Sequence, residues 1–131
     1  MKLGVLLPTF QDNADLALAF AERAQRAGVD GVFAYDHMFP IGSPERPTLA
    51  PMPVLAAVAS RLPLTVGTLI ARVTLVSTAQ LVEQFTTLQA VAPGRVIAAL
   101  GTGDKLSKPE HDAYGLPYPS PDARRALMRD A

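Results

Sequence analysis

Apolar residues in this chain alternate between short continuous runs and longer segments with helical spacing. The continuous runs predict strands that are covered on both faces, because a strand with a solvent-exposed face shows polar residues at every second position. The longer segments place apolar residues three or four positions apart, which predicts amphipathic helices. Four strands are predicted, at 2–7, 29–35, 64–73 (a run long enough to bend) and 95–100.

Three complete helices are predicted between these strands, each with start and stop signals. Their N-caps are Asp12 or Asn13 for the first and Ser77 or Thr78 for the third, and their stops are Gly28, Pro63 and Pro93-Gly94. The predicted buried faces are Leu16, Phe20, Ala24 and Ala27, then Leu55, Val58, Ala59 and Leu62, then Leu81, Phe85, Leu88 and Ala92. A polar loop is predicted after Asp104, and 123–128 predict the first turns of a fourth helix.

Strict alternation of strands and helices predicts an α/β fold with four parallel strands and right-handed crossovers. Two architectures fit this order: an open doubly wound sheet, or the first half of a (β/α)8 barrel. Polar residues gather after the second and fourth strands, at the carboxyl edge where both architectures place their sites. We expect one domain over 1–131, reaching from the first strand to the start of the fourth helix.

Composition narrows the function classes. Hydrophobic residues make up 49% and charged residues 18% of the 131 residues, as in a globular protein. Lys+Arg and Asp+Glu balance at 12 each, which predicts no nucleic-acid or membrane partner. Cysteine is absent, so disulfides and Cys nucleophiles are excluded, and we expect a cytoplasmic protein. No apolar run approaches the roughly 20 residues of a membrane span, and the run at 2–7 is too short for a signal peptide.

Asp36 and His37 follow the second strand. Neighbouring strand residues point to opposite faces, so one side chain is expected in the mouth of a barrel and the other outside it. The functional interpretation makes His37 a proton donor or a contact to an electron-accepting ring, with Asp36 orienting the cofactor. The structural alternative has Asp36 capping the loop and His37 hydrogen-bonded at the rim. A metal-dependent hydrolase using these two residues and Asp104 is a third possibility, disfavoured because His111 lies in a distant loop.

Gly101, Thr102, Gly103 and Asp104 follow the fourth strand. A phosphate-cradling loop is one interpretation, but the third glycine of the dinucleotide fingerprint is replaced by Leu106. The alternative, which we favour, is a glycine turn that brings the backbone close to something flat. Arg72, inside an apolar run, is interpreted as lying near the end of its strand and reaching solvent.

Taken in order, these segments resemble the luciferase-like monooxygenase superfamily, and within it the coenzyme F-420-dependent oxidoreductases. The resemblance covers almost the whole chain, and no single motif in it is diagnostic. It rests on 2–9, Asp36-His37, Val66-Gly67-Thr68-Leu69, the run 80–103 with its Pro93-Gly94-Arg95 phrase and Gly101-x-Gly103 end, and Tyr114-Gly115-Leu116-Pro117.

The resemblance implies a (β/α)8 barrel with a cofactor at its C-terminal mouth: a deazaflavin, coenzyme F-420, or FMN as the alternative. It implies hydride transfer or monooxygenation on a small-molecule substrate. His37 would be the proton donor or a contact to the ring, and Asp104 would stand where sugar-phosphate-oxidising members carry a catalytic glutamate. Thr68-Leu69 would be the non-prolyl cis peptide behind the ring. The implied cofactor-binding residues are Asp36, Thr68, Leu69, Gly101, Thr102 and Gly103.

Two departures count against a specific sugar-phosphate dehydrogenase. Asp104 is one methylene shorter than that glutamate, and Ile41 falls near where those members carry tryptophan. A complete barrel needs about 250 residues, so four strands correspond to half of one. We therefore expect a fragment, or a chain that pairs with a C-terminal half or with a second copy. A non-catalytic remnant that self-associates is the alternative to an enzyme, and activity of this chain alone is left open.

Overall fold

The computed structural model describes residues 1–131 and contains six short strands and five α-helices. None of the helices is both long enough and apolar enough to cross a membrane. In chain order the elements are β1 (Gly4–Leu6), α1 (Asp15–Arg26), β2 (Gly31–Ala34), α2 (Pro51–Ala59), β3 (Thr65–Thr68), β4 (Ala71–Arg72), α3 (Thr78–Val91), β5 (Val96–Ile97), β6 (Leu100–Gly101), α4 (Lys108–Ala113) and α5 (Pro121–Asp130), with a 3-10 turn at Lys105–Ser107.

The strands form a parallel four-stranded sheet in the order β1-β2-β3-β5, beside a parallel two-stranded pair, β4-β6. Each new strand is added to the same edge of the sheet, as in a barrel. An open doubly wound sheet instead reverses direction at a switch point. The order therefore decides between the two architectures and confirms the α/β half-barrel prediction.

Helices α1, α2 and α3 cover one face of the sheet and form the main core with it, a cluster of 14 buried residues. From the strands come Val32 and Val66, both fully buried. Helix α3 follows its sequence signals closely. Ser77 forms a capping box with Gln80, and the helix ends before Pro93-Gly94, as predicted.

The buried face of α1 differs from the predicted one. Ala17, Ala21 and Ala24 are buried, whereas Leu16 is 44% exposed. Phe20 is half-buried at the margin of the core. Small alanines face the sheet because they let the helix approach closely. The predicted face was therefore wrong at Leu16 and at Ala27, which is also exposed, and right at Ala24.

The opposite face of the sheet, the interior of the barrel, is occupied by the ring of Phe33. A Cβ added at Gly4 would lie 2.4 Å from that ring, and one at Gly67 would lie 2.9 Å from it. Gly67 lies directly beside Phe33 in the register of β2 and β3. Glycine on both neighbouring strands therefore makes the space that the aromatic side chain fills.

The third predicted strand bends and divides. Its first part, β3, belongs to the main sheet, and its second part, β4, pairs with β6. A non-prolyl cis peptide lies between them at Leu69–Ile70. The predicted bend is confirmed, but the expected cis bond at Thr68-Leu69 was wrong by one residue. The fourth predicted strand divides in the same way into β5 and β6.

The segment after Asp104 is not the polar loop that its prolines and charges predict. It forms the 3-10 turn and α4, and two of its polar residues, Glu110 and His111, are buried. That prediction was wrong because a six-residue helix has little intrinsic stability and depends on tertiary contacts. The predicted fourth helix is confirmed as α5.

Candidate functional site

A cavity of about 460 Å³ opens at the carboxyl ends of β2, β4 and β6. Its wall combines side chains that lie far apart in the sequence, including Ile41 and Arg72. Of the eight predicted site residues, six line it: His37, Leu69, Gly101, Thr102, Gly103 and Asp104.

Asp36 and Thr68 do not line this cavity. Thr68 is fully buried, and its hydroxyl donates a hydrogen bond to the Ala99 carbonyl at 2.8 Å. Asp36 Oδ2 accepts a hydrogen bond from the Arg72 backbone N–H at 2.7 Å. Strand alternation accounts for the division, since His37 faces the cavity while its neighbour Asp36 faces the adjoining strand.

The glycine segment presents backbone rather than side chains to the cavity. Gly103 has φ +68°, a conformation that favours glycine, and a Cβ there would lie 3.0 Å from Ser107 Oγ. Asp104 Oδ1 accepts from the Leu106 backbone N–H at 2.9 Å and so caps the 3-10 turn. This geometry fits the predicted glycine turn, and it gives Asp104 a structural contact besides its place in the cavity wall.

His37 lies between aromatic and acidic neighbours. Its Nδ1 is 3.1 Å from Glu110 Oε1, and its side chain is 25% exposed. The ring centroids of Phe10 and Tyr35 lie 6.4 and 6.0 Å from that of His37. His37 also lines two adjoining cavities of about 430 and 470 Å³. It is thus hydrogen-bonded at the rim, as the structural alternative predicts, and it is also accessible from the mouth.

Behind His37 lies a buried charge network. Arg72 is 5% exposed and Glu110 is 2% exposed. Arg72 Nη1 donates to Glu110 Oε2, and Arg72 Nη2 donates to the Asp36 carbonyl. The Met38 backbone N–H donates to Glu110 Oε1 at 2.7 Å. The expectation that Arg72 reaches solvent was wrong, because α4 supplies a buried carboxylate for it.

The pKa values of the two carboxyl groups of this network, Asp36 and Glu110, are shifted in opposite directions. Burial raises the pKa of Asp36, and the hydrogen bond and positive charge from Arg72 offset this only in part. Burial also pushes the pKa of Glu110 upward, but hydrogen bonds from His37, Arg72 and Met38 outweigh it and lower that pKa to about 2. Glu110 is therefore ionised at neutral pH, where it can only accept hydrogen bonds.

Sequence reasoning missed Glu110. The available signal was Arg72, since a guanidinium inside an apolar run requires a buried acidic partner. The chain has 12 Asp and Glu residues, however, and nothing in their spacing shows which one reaches β4. The partner lies 38 positions away, on a helix that the sequence did not predict.

His111, next to Glu110 in sequence, is fully buried and points elsewhere. Its Nδ1 lies 2.7 Å from the Pro117 carbonyl and its Nε2 lies 3.2 Å from Thr74 Oγ1. These contacts tie α4 to the chain before and after it. No three His, Cys, Asp or Glu side chains are grouped so that they could hold a metal ion. The geometry thus gives no support to the metal-dependent hydrolase.

Comparison with known proteins agrees with this architecture. The chain is 33% identical over 135 residues to an F420-dependent glucose-6-phosphate dehydrogenase of Kineococcus radiotolerans, a match covering 100% of this chain and 39% of the relative. It is 36% identical over 116 residues to the protein of the same name from Beutenbergia cavernae, covering 87% of this chain and 34% of the relative. The chain thus spans between about a third and two fifths of the curated relatives' length.

Solved structures give the same result. An F420-dependent secondary alcohol dehydrogenase in complex with an F420-acetone adduct matches with a TM-score of 0.78 and 25% identity, over 97% of this chain and 39% of that one. EDTA monooxygenase from Chelativorans sp. BNC1 matches in fold with a TM-score of 0.73 and 18% identity, over 99% of this chain and 34% of that one. The sequence model of the family described as luciferase-like monooxygenase matches residues 1–131. Since that match spans every strand and helix of the half-barrel, the chain belongs to the luciferase-like monooxygenase family.

Proposed function

We propose that this chain provides the mouth of an oxidoreductase that transfers a hydride to or from a deazaflavin, coenzyme F-420, and acts on a small-molecule substrate. Monooxygenation with FMN is the alternative chemistry at the same place. The observation that carries the proposal is that one cavity brings His37 together with the glycine segment 101–103 and the Leu69–Ile70 peptide. Relatives named as F420-dependent dehydrogenases support the choice of deazaflavin.

The residues present fit a flat, partly apolar ring. Leu69 and Ile70 are each 44% exposed and line the cavity, so they offer an apolar surface. Gly101, in β6, and Gly103, just after it, have no side chain, so the backbone is accessible from the cavity on that side. When bound, the deazaflavin would supply or accept the hydride. The chain itself would hold the ring between these surfaces and exclude water from them.

His37 would move the proton that accompanies hydride transfer. It is the imidazole at the cavity wall, and one of its nitrogens is free of any hydrogen bond within the chain. Asp104, at the same wall, would be the second proton-handling or substrate-binding group. Asp36 would act indirectly, because its carboxylate accepts from the backbone N–H of Arg72 beside the mouth.

Cofactor binding tests the proposal directly. The purified chain is titrated into F-420 and, separately, into FMN, and the cofactor fluorescence is followed. We expect saturable binding of F-420 that Leu69→Ala weakens by about tenfold through lost apolar contact. Leu16→Ala is the matched control, because Leu16 is also 44% exposed but lies on α1, outside the cavity wall. No binding of either cofactor at high concentration, or equal weakening by both variants, would contradict the proposed site.

A second candidate is a self-associating module without cofactor. The outer edge of β1 and that of β5 have no partner strand. Apolar side chains beside them are exposed, including Leu3 at 55% and Ile97 at 47%. Unpaired edges with apolar neighbours favour association with more strands. We propose that these edges bind either a second copy of the chain or a separate C-terminal half.

Sedimentation velocity over a range of protein concentrations tests the first of these two partners, a second copy of the chain. Association that increases with concentration in the purified chain supports a second copy. Ile97→Lys places a charge at the β5 edge and is expected to weaken that association, whereas Val82→Lys, at a 50% exposed position on α3, serves as the control. A monomer at all concentrations would rule out self-association through these edges.

A further inference from the structure

The buried carboxylate of Glu110 has a geometry that goes beyond holding α4 in place. Its two oxygens are used differently. Oε2 accepts from Arg72, whereas Oε1 accepts from the Met38 backbone N–H and lies 3.1 Å from His37 Nδ1. An interaction that served only to neutralise Arg72 would not require the second oxygen to face the imidazole.

We infer that Glu110 is a positioning residue: it fixes the proton of His37 on Nδ1 and thereby leaves Nε2 as the nitrogen that exchanges protons at the mouth of the barrel. This inference rests on the proposed function, because the tautomer of His37 matters for catalysis only if His37 handles a proton.

The assignment of the proton follows from the donor and acceptor properties of the two groups. An ionised carboxylate has no proton to donate, so a hydrogen bond between Glu110 Oε1 and His37 Nδ1 requires the proton to be on Nδ1. The low pKa of Glu110, about 2, keeps the carboxylate ionised throughout the range in which histidine titrates. In the neutral ring, Nε2 is then the unprotonated nitrogen, and no other group of the chain hydrogen-bonds to it.

Charge around the ring favours the same arrangement. The charged groups of the network around His37 are Asp36 and Glu110, both acidic, and Arg72, its single cation. The negative charge of Glu110 lies on the Nδ1 side of the ring, which favours an N–H at that nitrogen. The network therefore favours the proton on Nδ1 and leaves Nε2 without a partner within the chain.

The test reads the tautomer by NMR, and it uses the purified chain without cofactor. Two-bond ¹H–¹⁵N correlation spectra distinguish protonated from unprotonated ring nitrogens, and the chain has only two histidines. Spectra are recorded at about pH 8.5, above the usual histidine range. The wild type is expected to show His37 with Nδ1 protonated and Nε2 bare.

Two variants separate positioning from structural support. Arg72→Met removes the cation but leaves Glu110 beside His37, so Nδ1 should stay protonated. Arg72→Met combined with Glu110→Met removes the whole buried pair, a replacement that proteins usually tolerate better than loss of one partner. In the double variant we expect loss of the single Nδ1-protonated form and a mixture of tautomers.

His111 serves as the internal reference for the position of α4, since its Nδ1 contacts the Pro117 carbonyl rather than Glu110. An unchanged His111 pattern beside an altered His37 pattern supports the inference. It is overturned if the double variant keeps the wild-type His37 tautomer, if Arg72→Met alone abolishes it, or if the His111 pattern changes together with that of His37. The proposed function fails separately, by absence of cofactor binding, so the two failures are distinguishable.

Discussion

Removing the buried pair Arg72–Glu110 by methionine at both positions is expected to change how the free energy of unfolding depends on pH. In the wild type, the folded state lowers the pKa of Glu110 from the usual 4.5 to about 2. Each pKa unit corresponds to about 1.4 kcal/mol, so Glu110 contributes about 3 kcal/mol of stability at neutral pH. The Glu110 side chain is only 3% exposed, so solvent screens this contribution little.

The sign of the effect follows from the lowered pKa. The unfolded chain binds a proton at Glu110 more readily than the folded chain does. The stabilisation is therefore fully present above about pH 4.5 and is lost as the pH falls through about 2. Asp36, whose pKa is raised by burial, acts in the opposite direction. It remains in the double variant, where the opposing effects of Arg72 and Glu110 on its pKa are both removed.

Urea denaturation followed by circular dichroism measures the effect, at several pH values between about 7 and 2 and at one fixed protein concentration. The quantity to compare is the difference in unfolding free energy between the wild type and the double variant. As the pH falls from about 7 to about 2, the wild type should lose about 3 kcal/mol of stability relative to the double variant. A shift smaller than about 1 kcal/mol, or one in favour of the wild type, would refute the reasoning.

Two further predictions concern packing and backbone space. Leu88→Ala should destabilise the chain by about 2–5 kcal/mol in urea denaturation, because Leu88 is only 2% exposed in the main core. Val82→Ala, at a 50% exposed position of the same helix, should change stability by less than about 0.5 kcal/mol. Similar losses in the two variants would contradict the assignment of the buried face of α3. Gly67→Ala should sharply lower the thermal unfolding midpoint, because its Cβ would lie 2.5 Å from the Ile97 carbonyl oxygen. Gly101→Ala should be tolerated, since the nearest neighbour of its Cβ would be a side-chain carbon of Ile70 at 3.4 Å. Equal midpoints for the two variants would contradict this account of the sheet.

Elements whose signals are local were predictable. Helix α3 is capped by Ser77, directly before its first residue, and ends just before Pro93-Gly94, so its bounds depend on residues within the helix or next to it. The same holds for the alternation of strands and helices, which limited the fold to two architectures. Between those two, the strand order decided, and strand order is a property of long-range pairing.

Elements that depend on neighbours were predicted less well. The face of α1 was misassigned because alanine gives a weak hydrophobic signal, and only the sheet determines which side of the helix must approach closely. Helix α4 was missed because six residues with Pro109 among them do not form a helix without Glu110 and His111 anchoring it.

The sequence by itself determined the α/β class, the number of β/α units and the position of His37 and Gly101–Asp104 after strands, because apolar periodicity and the ends of parallel strands are local features. Leu69 was added to the predicted site by the family resemblance. Only the tertiary structure decided that Asp36 and Thr68 lie outside that cavity and that Glu110 faces His37. The reason is physical: a buried charge must find a partner, but the chain can bring that partner from any distance along the sequence.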